Sequence, residues 1–314
     1  MVLVLASGIL VAGCRRPAAD EGQLKMALVL NGPISDGGWN ANAYAGLKLA
    51  EETYGFEIAY SESVQQSDYE TAFTDYANQG YDLIIANGFE FTDAVMTVAE
   101  NFPEVMFGII NGGAIAENVA ILGFDNVEAG YLAGAFAGLM TETGYVGFVG
   151  GQEVPSITDA QAGMEMGLAA TNPEAELISV MAGSWDDVAK GKEIALSMIT
   201  ASNVDVIFPF ASAVNTGVIQ GAKEKQAYVI GEPNDQLALA PGTIIGSVLQ
   251  STPDLILLAA GKVVDGTFEG EVISGNLANG VQNMGTYGDE VPEDVRTRMS
   301  EIMEQIKSGE ISLR

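Results

Sequence analysis

Short apolar segments alternate with longer amphipathic segments along most of the chain, and this alternation constrains the fold more than any other feature. Short apolar runs bounded by turn residues are typical of buried strands, whereas apolar spacings of three and four are typical of helices. The predicted strands are Leu24 to Leu30, Phe56 to Ser61, Tyr81 to Ala86, Val105 to Ile110, Val119 to Gly123, Val146 to Val149, Leu177 to Met181, Val204 to Phe208, Tyr228 to Ile230 and Ile244 to Leu249.

Helical patterns fill the intervals between these strands. The predicted helices are Ala43 to Tyr54, Tyr69 to Gln79, Thr92 to Glu100, Glu128 to Thr143, Ile157 to Ala170, Val188 to Ala201, Ser212 to Glu224, Leu255 to Phe268 and Asp294 to Ser308. Strands that alternate with helices form a parallel sheet covered on both faces. The first series closes near Gly123, and a second follows without a Pro/Ser-rich linker. The sequence therefore predicts an α/β fold of two Rossmann-like lobes with a cleft between them.

The amino terminus has the pattern of a lipoprotein signal. Residues Met1 to Gly13 form an apolar run that ends in small residues directly before Cys14, the one cysteine of the chain. The run is too short to span a membrane, so it is predicted to be the apolar part of a secretory signal. Cys14 would then be the lipid-modified first residue. Residues 14–23, which include the polar stretch Arg15 to Gly22, would be a tether too poor in apolar residues to fold.

Composition excludes several classes of protein. The 314 residues carry a formal net charge of −29, which argues against binding of nucleic acid or of a membrane through a basic patch. Without histidine, the usual zinc sites, Ser-His-Asp triads and Cys-His dyads are unavailable. Neither a GxGxxG that opens a helix nor a GxxxxGK[ST] occurs, so a nucleotide cofactor is not expected. We expect no cofactor and no metal.

The stretch Asn31 to Leu47 is predicted to be a strand-to-helix loop that reaches the cleft. Its glycines let the backbone approach a ligand, Asp36 and Asn40 offer hydrogen bonds, and Trp39 offers a flat apolar surface. In open parallel sheets, ligands bind at the carboxyl ends of the strands, which is where this loop falls. Alternatively, Asp36 caps the helix and Trp39 packs beneath it.

The other loops at predicted carboxyl ends resemble this one in composition. They are Asn87 to Phe91, Asn111 to Gly113, Phe124 to Glu128, Trp185, Phe210 to Asn215, Glu232 to Gln236 and Gln250. Together they hold aromatic, amide, hydroxyl and carboxylate groups but no arginine or lysine. Because phosphate and carboxylate ligands normally need a cation or a helix N-terminus, a neutral or cationic aromatic ligand is favoured.

Three segments carry a resemblance to a known family. Asn31 to Leu47, Gly123 to Gly151 and Ser184 to Ile194 resemble the basic-membrane-protein (BMP, PnrA-like) substrate-binding lipoproteins of ABC transporters. The resemblance implies a type I periplasmic-binding-protein fold with a hinge between the lobes. It places residues 24–123 plus about 252–285 in an N-terminal lobe, 124–251 in a C-terminal lobe, and 286–314 in a C-terminal helical segment.

The resemblance also implies roles for individual residues. Base recognition would fall to Asp36, Trp39 and Asn40 in the first loop, with Asp125 bonding the base and an aromatic near Phe210 in the second lobe. Glu232 stands where nucleoside binders have an aspartate that holds the ribose. The chain departs from the family near the ribose, with Ser212 in place of a glycine and Gln250 in place of a lysine. The candidate ligand-binding residues are Asp36, Trp39, Asn40, Phe89, Asp125, Trp185, Phe210, Ser212, Glu232 and Gln250.

The function predicted from these residues is capture, without catalysis, of a purine nucleoside or purine base for an ABC permease. The protein would be a monomer, lipid-anchored on the outer side of the cell membrane. Riboflavin binding and ligand sensing for a membrane receptor are the alternatives, and an enzyme using Asp36 and Asp125 as paired carboxylates is a third. Individual residues also have structural alternatives: Trp185 and Phe210 as core, Asp125 as a cap, and Glu232 as a solvated turn.

Overall fold

The computed structural model describes residues 22–35 and 39–313, and within them the chain forms two six-stranded sheets. Asp36 and Cys14 lie outside the described residues. The strands are β1 (Lys25–Val29), β2 (Glu57–Ser61), β3 (Leu83–Ala86), β4 (Met106–Ile110), β5 (Val119–Phe124), β6 (Tyr145–Gly150), β7 (Glu176–Met181), β8 (Val206–Phe210), β9 (Tyr228–Gly231), β10 (Ile244–Gln250), β11 (Val272–Gly275) and β12 (Gln282–Met284).

Helices cover both sheets. They are α1 (Trp39–Tyr54), α2 (Tyr69–Asn78), α3 (Thr92–Ala99), α4 (Asn126–Met140), α5 (Pro155–Thr171), α6 (Val188–Ser202), α7 (Val214–Lys225), α8 (Thr252–Val264) and α9 (Glu293–Ser308). Within the described ranges, no helix is both long enough and apolar enough to cross a membrane.

The first sheet has the strand order β11-β5-β4-β3-β1-β2, and all of its strand pairs are parallel. Its central strands are apolar on both faces because helices bury both faces: every residue of β3 is buried. Helices α1 and α8 form one core with the sheet, and α2 and α3 form another on the opposite side. This sheet and these four helices are called the first lobe below.

The second sheet has the order β12-β10-β9-β8-β6-β7, with β12 antiparallel to β10 at one edge. Helices α4, α5 and α9 form the larger core on one face, and α6 and α7 cover the other. Terminal helix α9 buries Val295, Met299 and Ile302 in that core. This sheet and these five helices are the second lobe.

The chain passes between the sheets three times, between β5 and α4, between β10 and α8, and between β11 and β12. These passages are called crossings one, two and three. The boundaries expected near residue 285 therefore need correction. Because β12 pairs with β10, the returning segment belongs to the first sheet only through β11, and residues 286–314 pack into the second lobe.

The predicted α/β fold is confirmed: the first sheet is parallel throughout, and the second is parallel except for its edge strand β12. Each predicted strand overlaps an observed one, whereas β11 and β12 were missed. Those two strands have four and three residues and lack a run of large apolar side chains, so the sequence shows no hydrophobic periodicity there. Helix α1 begins at Trp39 and not at Ala43, which moves Trp39 and Asn40 from the loop into the first turn of the helix.

Candidate functional site

A cavity of about 510 Å³ lies at the carboxyl ends of strands from both sheets. It is lined by Trp39, Asn42, Asn111, Phe124, Asn126, Ser156, Ile157, Trp185, Phe210, Ala211, Ser212, Ala213, Asn215, Thr216, Ile219, Glu232, Pro233, Asn234, Gln236, Leu239, Gln250 and Thr252. Each of these residues ends a strand, lies in the loop after it or lies in the first two turns of the next helix. The topology therefore gathers the walls at one site, as is typical of open parallel sheets. The volume suits a small-molecule ligand.

Both lobes contribute aromatic rings to the cavity. In the first lobe, Trp39 begins α1 and keeps 37% of its surface exposed, and Phe124 ends β5. The indole Nε1 of Trp39 donates to the Asn87 carbonyl at 3.1 Å, which restricts the orientation of the ring. In the second lobe the rings are Trp185 and Phe210. A flat aromatic ligand between the lobes can therefore stack on both sides.

The two second-lobe rings are held in place by packing contacts within their own lobe. Trp185 lies so close to Gly151 that a Cβ on that glycine would come within 2.2 Å of the indole ring. Any larger residue at position 151 would therefore displace the Trp185 ring. Phe210 packs on Phe208 with ring centroids 5.7 Å apart. The two aromatics thus serve the second core and the cavity together, because each packs partly against the core and also lines the cavity.

Glu232 follows β9 and is 8% exposed on the cavity wall. Burial raises the pKa of this carboxyl group to about 7, and a hydrogen bond from Asn215 opposes the shift. The Nε2 of Gln236 donates to the Glu232 backbone carbonyl at 2.7 Å and holds the turn. The sequence alternative of a solvated turn does not describe this side chain, because it is buried.

Asn215, in the first turn of α7, orients that carboxyl group. Its Oδ1 accepts from the Ala211 backbone N–H at 2.9 Å, and its Nδ2 donates to Glu232 Oε1 at 2.5 Å. Since a backbone N–H can only donate, the first bond fixes which end of the amide faces Glu232. Asn215 is 5% exposed, so the arrangement is shielded from solvent.

Gln250 connects the cavity to the hinge. It ends β10 at crossing two, and its Nε2 donates to Oδ1 of Asn126 at crossing one over 3.2 Å. Crossing three is joined by Gln282, whose Nε2 donates to the carbonyls of Asp125 and Gly275 at 2.9 and 2.8 Å. The three crossings are thus tied together by amide side chains next to the ligand site.

Two non-glycine residues on the cavity wall have left-handed backbone conformations. Asn111 has φ of 55° and Ser212 has φ of 56°. Asparagine tolerates this region, whereas serine is strained there, and such strain clusters at functional sites. The conformation also gives a physical reason why the resembled family commonly has glycine where this chain has Ser212.

The structure brings six of the candidate residues together on the cavity wall: Trp39, Trp185, Phe210, Ser212, Glu232 and Gln250. Asp36 lies outside the described residues. The remaining three, Asn40, Phe89 and Asp125, do not line the cavity.

Each of those three has another place in the structure. Asn40 is 6% exposed and turns back into the first lobe, where its Oδ1 accepts from Asn87 Nδ2 at 3.2 Å. Phe89 is 64% exposed and packs over Gly113, because the strand ends before it and a turn carries it outward. Asp125 caps α4 by accepting a hydrogen bond from the Glu128 backbone N–H at 3.1 Å, which is the structural alternative given for it in the sequence analysis.

Several lining residues were absent from the sequence-based set of candidates. Asn42 was missed because α1 was started too late, and Thr252 because the helix start after crossing two was also placed late. Asn126 was included only within the loop segment Phe124 to Glu128. Asn215 was included only within a loop segment. Its Asn character near a predicted helix start was the available signal, since Asn favours such positions.

The cavity is nearly free of formal charge. Among its lining residues in the described ranges there is no lysine or arginine, and Glu232 is the one carboxylate. The part of the chain that the structure describes also holds no group of three or more Cys, Asp or Glu residues placed to bind a metal ion. The arrangement can stack a flat ring and bond it through amides and hydroxyls, and it presents no nucleophile poised beside a base.

The two α/β lobes, the three crossings and the interlobe cavity are similar to solved structures of the type I periplasmic-binding-protein fold. AraP, an arabinose-binding protein from Geobacillus stearothermophilus, is similar in fold, with a TM-score of 0.67 at 16% identity, covering 89% of this chain and 99% of the other. An ABC transporter solute-binding protein from Conexibacter woesei has a TM-score of 0.75 at 24% identity, with coverage of 93% and 98%. The fold places this chain in the class of proteins with the type I periplasmic-binding-protein fold.

Sequence comparison then gives the family. The pattern described as "ABC transporter substrate-binding protein PnrA-like" (Bmp) matches residues 23–314. The chain belongs to this family of transporter substrate-binding proteins, which act outside the cytoplasm and are not enzymes. The resemblance stated from the sequence is thereby confirmed.

Three relatives show the range of named members. The ABC transporter nucleoside-binding protein BmpA of Lactococcus lactis is 30% identical, covering 99% of this chain and 96% of the relative. A purine-binding protein of Brucella abortus is 27% identical, with coverage of 99% and 88%. The transcriptional activator protein med of Bacillus subtilis is also 27% identical, with coverage of 99% and 98%.

Proposed function

We propose that this protein captures a purine nucleoside or a purine base in the interlobe cavity and delivers it to an ABC permease. The observation that carries the proposal is the composition of the cavity wall. Aromatic rings from both lobes surround a volume of about 510 Å³ in which, among the described lining residues, Glu232 is the one ionisable group. This combination suits a flat, uncharged ligand with several hydrogen-bonding positions.

The polar groups on the wall support a heterocyclic ligand over a simple sugar or an anion. Side-chain amides come from Asn42, Asn111 and Asn126 on the first-lobe side and near the hinge, and from Asn234 and Gln236 in the second lobe. Each amide offers donors and an acceptor, which matches the alternating donors and acceptors of a purine edge. A phosphate group would find no cation among these residues, which disfavours nucleotides.

The relatives support the same ligand class. One is named for nucleoside binding and one for purine binding, and the chain aligns with both over nearly its whole length. The departures near the expected ribose position, Ser212 and Gln250, leave base and nucleoside both open. The proposal therefore covers purine nucleosides and purine bases alike.

Capture would proceed by closure of the lobes about the crossings. The three crossings sit beside the cavity, so rotation there brings Trp39 and Phe210 closer without unfolding either lobe. Ligand contacts made by both lobes favour the closed form, which gives a permease a shape to distinguish from the empty form.

We also propose that Cys14 carries a lipid that anchors the protein on the outer side of the membrane. The basis is the apolar run and small residues that precede it. A Cys14→Ser variant of the full chain is expected to move from the membrane fraction to the soluble extracytoplasmic fraction. Retention of the variant in the membrane fraction would contradict the anchor and leave the ligand proposal unaffected.

Native mass spectrometry of the chain starting after Cys14 tests the ligand directly. Ligand retained through purification is released by denaturation and identified by mass, and an empty protein is screened with purine bases, purine nucleosides and riboflavin by thermal shift and calorimetry. A purine mass, or micromolar or tighter binding of a purine, supports the proposal. A flavin mass, or no response to any of these compounds, refutes it.

Ligand sensing for a regulatory role is the second candidate, favoured by the similarity to a named transcriptional activator. The net charge of −29 opposes direct contact with DNA, so a sensor of this kind would act through another protein. Deleting the gene separates the two roles. Loss of uptake of the labelled ligand indicates transport, whereas unchanged uptake with altered transcription indicates sensing.

A further inference from the structure

Glu232 is the one ionisable side chain on the described cavity wall, and one of its two oxygens is held by a neighbouring side chain. Oε1 accepts from Asn215 Nδ2 at 2.5 Å. Among the described residues, this is the one hydrogen bond to the Glu232 carboxylate. The other oxygen, Oε2, belongs to a side chain that lines the cavity and is 8% exposed.

Asn215 cannot easily reverse its amide to release Oε1. A reversed amide would set Nδ2 against the Ala211 N–H, where two donors would face each other, and Oδ1 against the carboxylate, where two acceptors would meet. Both errors would be buried, since Asn215 is 5% exposed. The donor is therefore held toward Glu232 by the start of α7 itself.

We propose that Asn215 is a positioning residue for Glu232: it holds Oε1, and thereby presents Oε2 to accept a hydrogen bond from a hydroxyl or N–H donor of the ligand. This inference rests on the proposed capture of a purine compound in the same cavity. It adds that ligand binding is linked to the protonation state of Glu232. An ionised Oε2 can accept a hydrogen bond from a ligand donor, whereas protonation of the carboxyl group removes that capacity from one oxygen.

The direction of the linkage follows from the surroundings of Glu232. Burial raises the pKa of the empty-site carboxyl group to about 7, and the Asn215 bond works in the opposite direction. The nearest neighbouring carboxylate along the chain, Asp235, is engaged elsewhere, accepting from the Thr286 and Leu237 backbone N–H groups. A ligand donor at Oε2 favours the ionised form, so binding releases a proton below pH 7 and affinity rises with pH up to that range.

The Asn215 half of the proposal is tested in the ligand-free protein. The variant Asn215→Asp keeps an oxygen to accept from the Ala211 N–H but replaces the donor to Glu232 by a second carboxyl group. Carboxyl carbon NMR, with the Glu232 signal identified by Glu232→Gln, is expected to show the pKa of Glu232 clearly higher in Asn215→Asp than in wild type. The variant Asn42→Leu removes an amide from α1 in the other lobe and is expected to leave this pKa unchanged. An unchanged pKa in Asn215→Asp overturns the positioning role.

The ligand half is tested by calorimetry with adenosine, guanosine and adenine between pH 5.5 and 8.5. Wild-type affinity is expected to fall about tenfold for each pH unit below the pKa of Glu232, with protons released on binding. Glu232→Gln is expected to bind about 10- to 100-fold more weakly at pH 8 and to show no pH dependence, because it lacks the charged acceptor. In Asn215→Asp the midpoint of the pH profile moves upward, whereas in Asn42→Leu only the plateau changes.

The double variant Asn215→Asp with Glu232→Gln checks that the two positions act as a pair. It restores one donor and one acceptor with their places exchanged, so it is expected to fold as wild type while binding weakly at every pH. A wild-type affinity that is flat or falls with rising pH overturns the donor contact. Failure of every purine compound to bind at any pH removes the proposed function, and the NMR comparison then still decides the role of Asn215.

Discussion

Helices α4 and α5 approach so closely that glycine is required where they touch, and this gives a quantitative prediction. A Cβ at Gly134 would lie 2.1 Å from the Met164 carbonyl oxygen, and one at Gly163 would lie 2.0 Å from the Val127 carbonyl oxygen. The obstructing atoms are backbone and not flexible side-chain ends. We therefore expect Gly134→Ala to force the two helices apart.

The magnitude follows from two opposed effects. Ordinary contact begins near 3.4 Å, so a distance of 2.1 Å requires a separation of about 1.3 Å, the difference between the two. Overpacking of a core on this scale costs about 3 kcal/mol, at the upper end of the usual range. Alanine recovers about 1 kcal/mol through its higher helix propensity. The net loss is about 2 kcal/mol, or about 4–8 °C in Tm for a domain of this size.

Urea and thermal unfolding of the two glycine-to-alanine variants Gly134→Ala and Gly261→Ala test this reasoning. Gly261 is also helical, but a Cβ there meets only the hydroxyl of Tyr54, a side chain that is 42% exposed and can turn away. Gly261→Ala is expected to be neutral or stabilising by up to about 1 kcal/mol. Equal changes in the two variants would refute the claim that backbone contact, and not helix propensity, decides the outcome at Gly134.

Three further predictions concern the cavity and the hinge. Trp39→Ala is expected to weaken binding of the purine ligand by about 10- to 100-fold in calorimetry, because it removes a stacking surface, whereas Tyr145→Ala, an exposed aromatic outside the cavity, changes nothing. Gln282→Leu removes two hydrogen bonds between crossings one and three and is expected to lower the free energy of unfolding by about 1–3 kcal/mol. An unchanged urea midpoint would contradict a role of Gln282 in joining the crossings. Burial raises the pKa of Glu232 from 4.5 to about 7, so the proton held in the ligand-free fold contributes stability below pH 4.5 that is lost as pH rises through 7. Glu232→Gln is therefore expected to leave Tm nearly unchanged at pH 4.5 and to stabilise the empty protein by at most about 3 kcal/mol at pH 8. Stabilisation of equal size at both pH values would contradict the presence of a buried charge at pH 8.

The strand positions could be predicted because parallel strands are buried on both faces. A segment such as β3 is apolar at every position, so it can be recognised in the sequence without knowing which strands lie beside it. Strands β11 and β12 cannot be recognised in this way, since they are short edge strands whose assignment depends on pairing with β5 and β10. Their pairing, and hence the third crossing, required the structure.

Part of the candidate site could be predicted for a related reason. Residues at the carboxyl ends of predicted strands reach the cleft in any open parallel sheet, which placed Trp185, Phe210 and Glu232 on the cavity wall. Side-chain direction could not be predicted in the same way. Asn40 and Phe89 lie in the same kind of segment, but one turns into the first lobe and the other outward.

The sequence alone determined the alternation of strands and helices, the absence of cations from the cleft loops and the likeness to a substrate-binding family, because these depend on residue type and order. Tertiary structure decided which side chains meet. The contact of Asn215 with Glu232 joins α7 to the end of β9, and that of Gln250 with Asn126 joins crossings 124 residues apart. The raised pKa of Glu232 is likewise a product of burial, since a carboxyl group has no unusual affinity for protons until the fold removes it from water.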